Sequence, residues 1–163
     1  MLPEGYDHAL VNGSEVAPTR YPNLFHGCHN PTPAAVEAAN GLPAKGSNLE
    51  LIDHAEPPPG RANDSAFRGC TEMYLSPFGD AGAALWGPWV YHIGDYPGYD
   101  INRLLEGRIP TPGGFRSPIM PAELEVAVPA EVPMANLRRV GEVQTNAWGR
   151  PKVTWLLDWG FQS

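Results

Sequence analysis

Residues 24–30 read Leu24-Phe25-His26-Gly27-Cys28-His29-Asn30, and how they are read decides the fold. This short run holds two histidines, a cysteine and a glycine. Taken alone it admits a metal site, a thiol–imidazole pair, or the wall of a ligand cleft. A metal needs further ligands, and only His8, His54, His92 and scattered carboxylates are on offer. Cys28 and His29 are adjacent, so on a strand their side chains point to opposite faces and do not converge. Asn23 to Cys28 reads as a short buried strand that Asn30-Pro31 breaks, which favours the cleft wall.

Working outward, residues 1–20 are polar and irregular and read as a loosely held N-terminal arm. Downstream, Thr32 is placed to cap a helix with Pro33 in its first turn, and Asn40-Gly41 stops it. Residues 48–55 (NLELIDHA) give a second short helix, ended by Glu56-Pro57-Pro58-Pro59-Gly60. Strands are expected at Thr71–Ser76, Pro88–Ile93, Leu137–Val143 and Val153–Leu157, with a helical turn at Ile101–Leu105. Short helices followed mostly by strands make an α+β chain.

The bulk numbers agree with one globular unit. A chain of 163 residues that is 42% hydrophobic and 10% aromatic supports a core, and we read it as a single domain with its core at about 21–160. Its 18 glycines and 19 prolines are dispersed without a repeat, so they mark turns rather than a linker. A net charge of −7 disfavours a surface tuned to phosphate backbones. No apolar run is long enough to span a bilayer, and the N-terminus lacks a signal-peptide pattern. Cys28 and Cys70 either form one disulfide or remain two buried thiols. The five tryptophans are read as core, and His54 and His92 as structural.

Glu123 and Glu125 are the strongest chemical signal. The run Glu123-Leu124-Glu125-Val126-Ala127-Val128 alternates as a strand, with both carboxylates on one face roughly 6–7 Å apart. Like charges so placed raise a carboxyl pKa unless a cation or donor is near. An exposed sheet face would tolerate them. However, a long Pro/Gly loop, residues 107–121, leads directly into the pair, and loops of that length are often functional.

The order of these segments resembles the mono-ADP-ribosyltransferase toxin domains of the cholera toxin, heat-labile enterotoxin and pierisin/scabin type. The matching runs are Leu24-Phe25-His26-Gly27, Pro33 to Gly41, Pro43 to Gly46, and Leu51-Ile52-Asp53-His54-Ala55. Tyr74-Leu75-Ser76-Pro77-Phe78, Asp100-Ile101-Asn102, Glu123-Leu124-Glu125 and Ala130 to Pro133 follow in the family's order. The resemblance implies an ADP-ribosyltransferase fold, with two small antiparallel sheets forming a split cleft for NAD behind short N-terminal helices. It implies Glu125 and Glu123 as the catalytic carboxylates, and His26, Gly27, Tyr74, Ser76 and Phe78 as NAD contacts. Glu125 would stabilise the oxocarbenium ribose, Glu123 would handle the acceptor, and Ser76 would fix the catalytic Glu.

Two departures stand out. His26 occupies the family's arginine position, and Pro77-Phe78 replaces a Thr-Ser pair. A Leu-His-Gly strand with a later Tyr is similar to the diphtheria-toxin-like and poly-ADP-ribose polymerase-like branch. There the His donates to the adenosine ribose and the Tyr stacks on nicotinamide, a place Tyr74 or Phe78 would fill. What the resemblance implies is a monomeric, secreted toxin or effector that uses NAD as substrate and no metal. Its acceptor would be a protein arginine or a nucleic-acid base. The same resemblance leaves open an NAD glycohydrolase without acceptor, or an inactive binding module.

Overall fold

A computed structural model describes residues 8–61, 64–118 and 124–159. The Leu24 stretch lies in a strand longer than expected, β3 (Thr19–Cys28), which follows a hairpin of β1 (Ala9–Val11) and β2 (Ser14–Val16). From Ala9 on, the N-terminal segment is therefore a hairpin rather than a loose arm, and residues 1–7 of that expectation lie outside the described residues. Ala9 and Val11 are buried with Leu51 and Phe67, so the alternation of Ala9-Leu10-Val11 puts two apolar residues inward.

Local signals place the first helix well. In α1 (Pro33–Ala39) the Thr32 hydroxyl accepts from the Ala35 N–H, and Asn40 closes the helix at φ 59°. The chain continues through β4 (Gly41–Leu42) into α2 (Leu51–Ala55), which the Glu50 side chain caps. β5 (Phe67–Cys70) comes next, followed by a loop containing a 3-10 turn, Ala83–Leu85. β6 (Trp89–Asp100) and α3 (Ile101–Leu104) lead to a hairpin of β7 (Ile109–Thr111) and β8 (Gly114–Arg116). β9 (Val126–Pro129), β10 (Val132–Pro133), β11 (Leu137–Thr145) and β12 (Pro151–Asp158) complete the chain.

The main sheet has six strands in the order β12-β11-β6-β9-β5, with β3 also on β6, and every pairing is antiparallel. β6 serves two halves. Its first residues, Trp89 to Ile93, pair with β11, while Tyr99 and Asp100 pair with β9. Asp95, at φ 47°, breaks the extended run between them. A bridge from Phe25 to Thr71 brings the end of β5 against β3, so the two halves meet at this corner.

Two expected strands are corrected. Thr71–Ser76 is not extended; the strand lies earlier, at β5, although Arg68 and Gly69 are poor strand formers. Pairing with β9 from Phe67↔Pro129 to Cys70↔Val126 overrides their propensity. The strand expected from Glu123 begins only at Val126, because Leu124 is left-handed at φ 50° and 57% exposed. All four residues of β9 are buried: Val126 and Val128 join the cluster that holds Leu24 and Val36, and Ala127 joins that of Leu51 and Ile101. Cys28 and Cys70 are free thiols rather than a disulfide. Burial pushes the Cys28 thiol up to about 11 and raises Cys70 as well, so both are inert. Trp148 is also not core: it is 83% exposed at the β11–β12 turn.

Candidate active site

Glu125 sits immediately before β9, and its side chain meets α2. Glu125 Oε2 lies 2.6 Å from His54 Nε2, and His54 Nδ1 lies 3.0 Å from Ser65 Oγ, which accepts the Phe67 N–H at 3.1 Å. An ionised carboxylate only accepts, so the His54 Nε2–H donates to Glu125. The His54 side chain is 8% exposed and that of Glu125 21%, so the bond is sheltered while the carboxylate still reaches solvent. This order of acid, imidazole and hydroxyl is that of a hydrolytic triad. Ser65, however, is buried and its oxygen already holds a backbone N–H, which leaves it a support rather than a nucleophile.

Gly69 joins the pieces. Its carbonyl receives His26 Nδ1 at 2.8 Å, and a Cβ on it would come within 2.9 Å of Glu125 Oε2. The glycine thus makes room for the carboxylate. His26 is 8% exposed, and burial together with the nearby Arg68 guanidinium pushes its pKa down to about 4. The ring is therefore neutral at pH 7. Its Nδ1–H donates to Gly69, which leaves Nε2 as an acceptor, and that atom is buried without a partner. Two cations stand near. Arg68 is buried and donates to Ala130 O at 2.7 Å and Pro43 O at 2.6 Å, while Lys45 Nζ donates to Phe67 O at 3.2 Å. Burial and Arg68 lower the Lys45 pKa, and Glu125 opposes them.

No model of a known protein family matches this sequence, and no curated protein matches it. Its fold, in contrast, is shared with solved toxins. A variant of scabin toxin from Streptomyces scabies superposes with a TM-score of 0.56 over 83% of this chain and 74% of that one, at 17% identity. A variant of the E. coli heat-labile enterotoxin gives 0.52 over 82% and 75%, at 18% identity. EcPltA gives 0.50 over 81% and 82%, at 16%. The chain has the fold of the ADP-ribosyltransferase toxins. The antiparallel α+β architecture read from the sequence is the one observed.

Within this toxin fold the residues singled out from the sequence fare differently. Glu125 and His26 are brought together around Gly69. Glu123 lies outside the described residues. Ser76 does not reach Glu125: its hydroxyl donates to Asp80 Oδ1 at 2.6 Å and accepts the Asp80 and Ala81 N–H groups, closing a turn. His54 holds the carboxylate in its place. Phe78 is 80% exposed on that turn, whereas Tyr74 packs edge-on against Phe25 and Trp155. Gly27 is required for a reason other than ligand access alone, because a Cβ there would fall 1.8 Å from the Ala83 carbonyl oxygen. Phe25 exchanges both backbone hydrogen bonds with Thr71, so Gly27, two residues on, turns its own N–H and C=O toward the same edge. The sequence reading takes His54 as structural, whereas it bonds Glu125, and it does not point to Gly69, Lys45 or Arg68. Only the Leu51–Ala55 run pointed to His54, and nothing in the sequence pairs it with a residue 71 positions away. Among the described residues no three His, Cys, Asp or Glu side chains gather as a metal set, and no helix is long and apolar enough to cross a membrane.

Proposed function

We propose that the protein is an NAD-dependent mono-ADP-ribosyltransferase, acting as a secreted toxin or effector. The observation that carries this reading is the Glu125–His54 bond at the mouth of β9, within a fold shared with toxins. In the proposed reaction the bond between the ribose C1′ and the nicotinamide nitrogen breaks, and nicotinamide leaves with the electron pair. Positive charge then develops on the ribose. Glu125 Oε2 is taken by His54, so Oε1 is the oxygen offered to the ribose 2′-hydroxyl, where its negative charge stabilises the oxocarbenium ion. An acceptor nucleophile attacks C1′ and loses a proton, which Glu123 is assigned to receive. The Gly27 edge is assigned to the nicotinamide carboxamide and the Tyr74 ring to its face. His26 offers a lone pair at Nε2 to a ribose O–H, so it accepts there rather than donates. The acceptor is a protein arginine or a nucleic-acid base.

Replacing Glu125 with Gln tests the assignment. Nicotinamide release from NAD, measured with an arginine analogue or a nucleobase added as acceptor, is expected to fall by at least about a hundredfold. The circular dichroism spectrum and Tm should hold. Release undiminished in Glu125→Gln would overturn the role of the carboxylate. Release that needs no added acceptor would make the protein an NAD glycohydrolase.

A further inference from the structure

We infer that the ion pair between Arg116 and Glu56 is a positioning device that ties the β7–β8 hairpin to the helix carrying His54 and so sets where His54 meets Glu125. The inference rests on the transferase reading above and adds residues that reading does not use. Helix α2 has only five residues, too few to hold its own shape, so what grips its ends sets where His54 points. Its N-terminal end is gripped by the first hairpin: the N–H groups of Asn12 and Gly13 donate to the Glu50 carboxylate at 2.8 and 3.0 Å. Its C-terminal end is gripped by the second hairpin, because Glu56, two residues after His54, pairs with Arg116 of β8.

The second hairpin is itself braced. The Gly107 N–H donates to Ser117 Oγ at 2.9 Å, Arg116 Nη1 donates to Ser117 O at 3.0 Å, and Asn12 Nδ2 donates to Arg108 O at 3.0 Å. Ile109 anchors it in the same apolar cluster as Leu51. Helix α2 therefore hangs between two hairpins, and Arg116–Glu56 is its polar tie to the second. Glu56 Oε2 is buried without a partner, so Arg116 is what compensates this half-buried carboxylate, and its loss draws the end of α2 toward water. A small displacement of His54 is enough to disturb a 2.6 Å bond to Glu125.

The test compares Arg116→Gln, Glu56→Gln, Arg116→Lys and the reversed pair Arg116→Glu with Glu56→Arg, all in the full chain. Three readouts are needed: kcat and KM for nicotinamide release, the His54 ring resonances by NMR, and Tm. Each Gln variant is expected to lower kcat about tenfold with KM within about twofold, and to shift the His54 resonances. Arg116→Lys and the reversed pair should recover both. Gln variants with unchanged kcat and unchanged His54 resonances would overturn the inference. So would a loss of rate that tracks a fall in Tm and is recovered by neither Arg116→Lys nor the reversed pair. If the parent chain releases no nicotinamide even with an arginine analogue or a nucleobase added as acceptor, the transferase reading fails, and the His54 resonances still decide the coupling.

Discussion

Two glycines on neighbouring strands show how one missing methyl serves different ends. At Gly69 the nearest atom to an added Cβ is Glu125 Oε2, the far end of a side chain that can move. At Gly27 it is the Ala83 carbonyl oxygen, which is backbone and cannot. Gly69→Ala is therefore expected to keep its Tm within a few degrees while nicotinamide release falls, as the carboxylate swings off His54. Gly27→Ala should instead destabilise the fold by about 1–3 kcal/mol, read by urea unfolding. Equal losses of stability in both variants would contradict this division. The sequence reading places Gly27 on a strand, as observed, and misses Gly69 entirely. A glycine between Arg68 and Cys70 has no local signature, and its partners come from β9 and β3.

At the scale of elements, α2 is the least self-sufficient piece. The Glu50 side chain caps it through the Ile52 N–H and also receives both N–H groups of the Asn12-Gly13 turn. Glu50→Ala removes all three acceptor roles and is expected to cost about 1–2 kcal/mol, more than an ordinary exposed carboxylate. Urea unfolding measures the loss, and a change below about 0.5 kcal/mol would show that the first hairpin does not support α2. The contrast with α1 is instructive. There, Thr32, Pro33 and Asn40 all lie within a few residues of the helix, so its start and stop were readable. For α2 the chain announced a helix, but its supports are residues 12, 13 and 116, which no local pattern links to it.

Among the described residues His26 and His92 are buried and neutral, and acid acts on both. His26, on β3, faces Arg68 on β5, Lys45 on the loop before α2, and His54 on α2 itself. His92, on β6, is stacked on Phe25 and faces Arg138 and Arg139 of β11. Burial is the largest cause in each case, and both pKa values fall from 6.5 to about 4. A depressed pKa means that the unfolded chain binds more protons than the folded one below pH 6.5. Stability is thus full above pH 6.5 and declines as pH falls through about 4. Urea midpoints measured from pH 7.5 down to roughly pH 4 should decrease, with a shallower decline in His92→Gln. A flat profile would contradict the burial of these neutral rings.

What the sequence determined by itself was local and ordinal: the capped helix at α1, the apolar run of β3, the start of β6, and the order of segments that resembles a toxin fold. These depend on backbone preferences and on alternation over a few residues, which act wherever the segment sits. The tertiary structure alone decided that β5 lies at Phe67–Cys70, that Leu124 turns left-handed, and that the two cysteines stay apart. It also decided that His54, not Ser76, holds Glu125. The physical reason is that a hydrogen bond or ion pair depends on the distance between side chains, and for His54 and Glu125 that distance is set by the packing of α2 against β5 and β9. No propensity within either segment carries it.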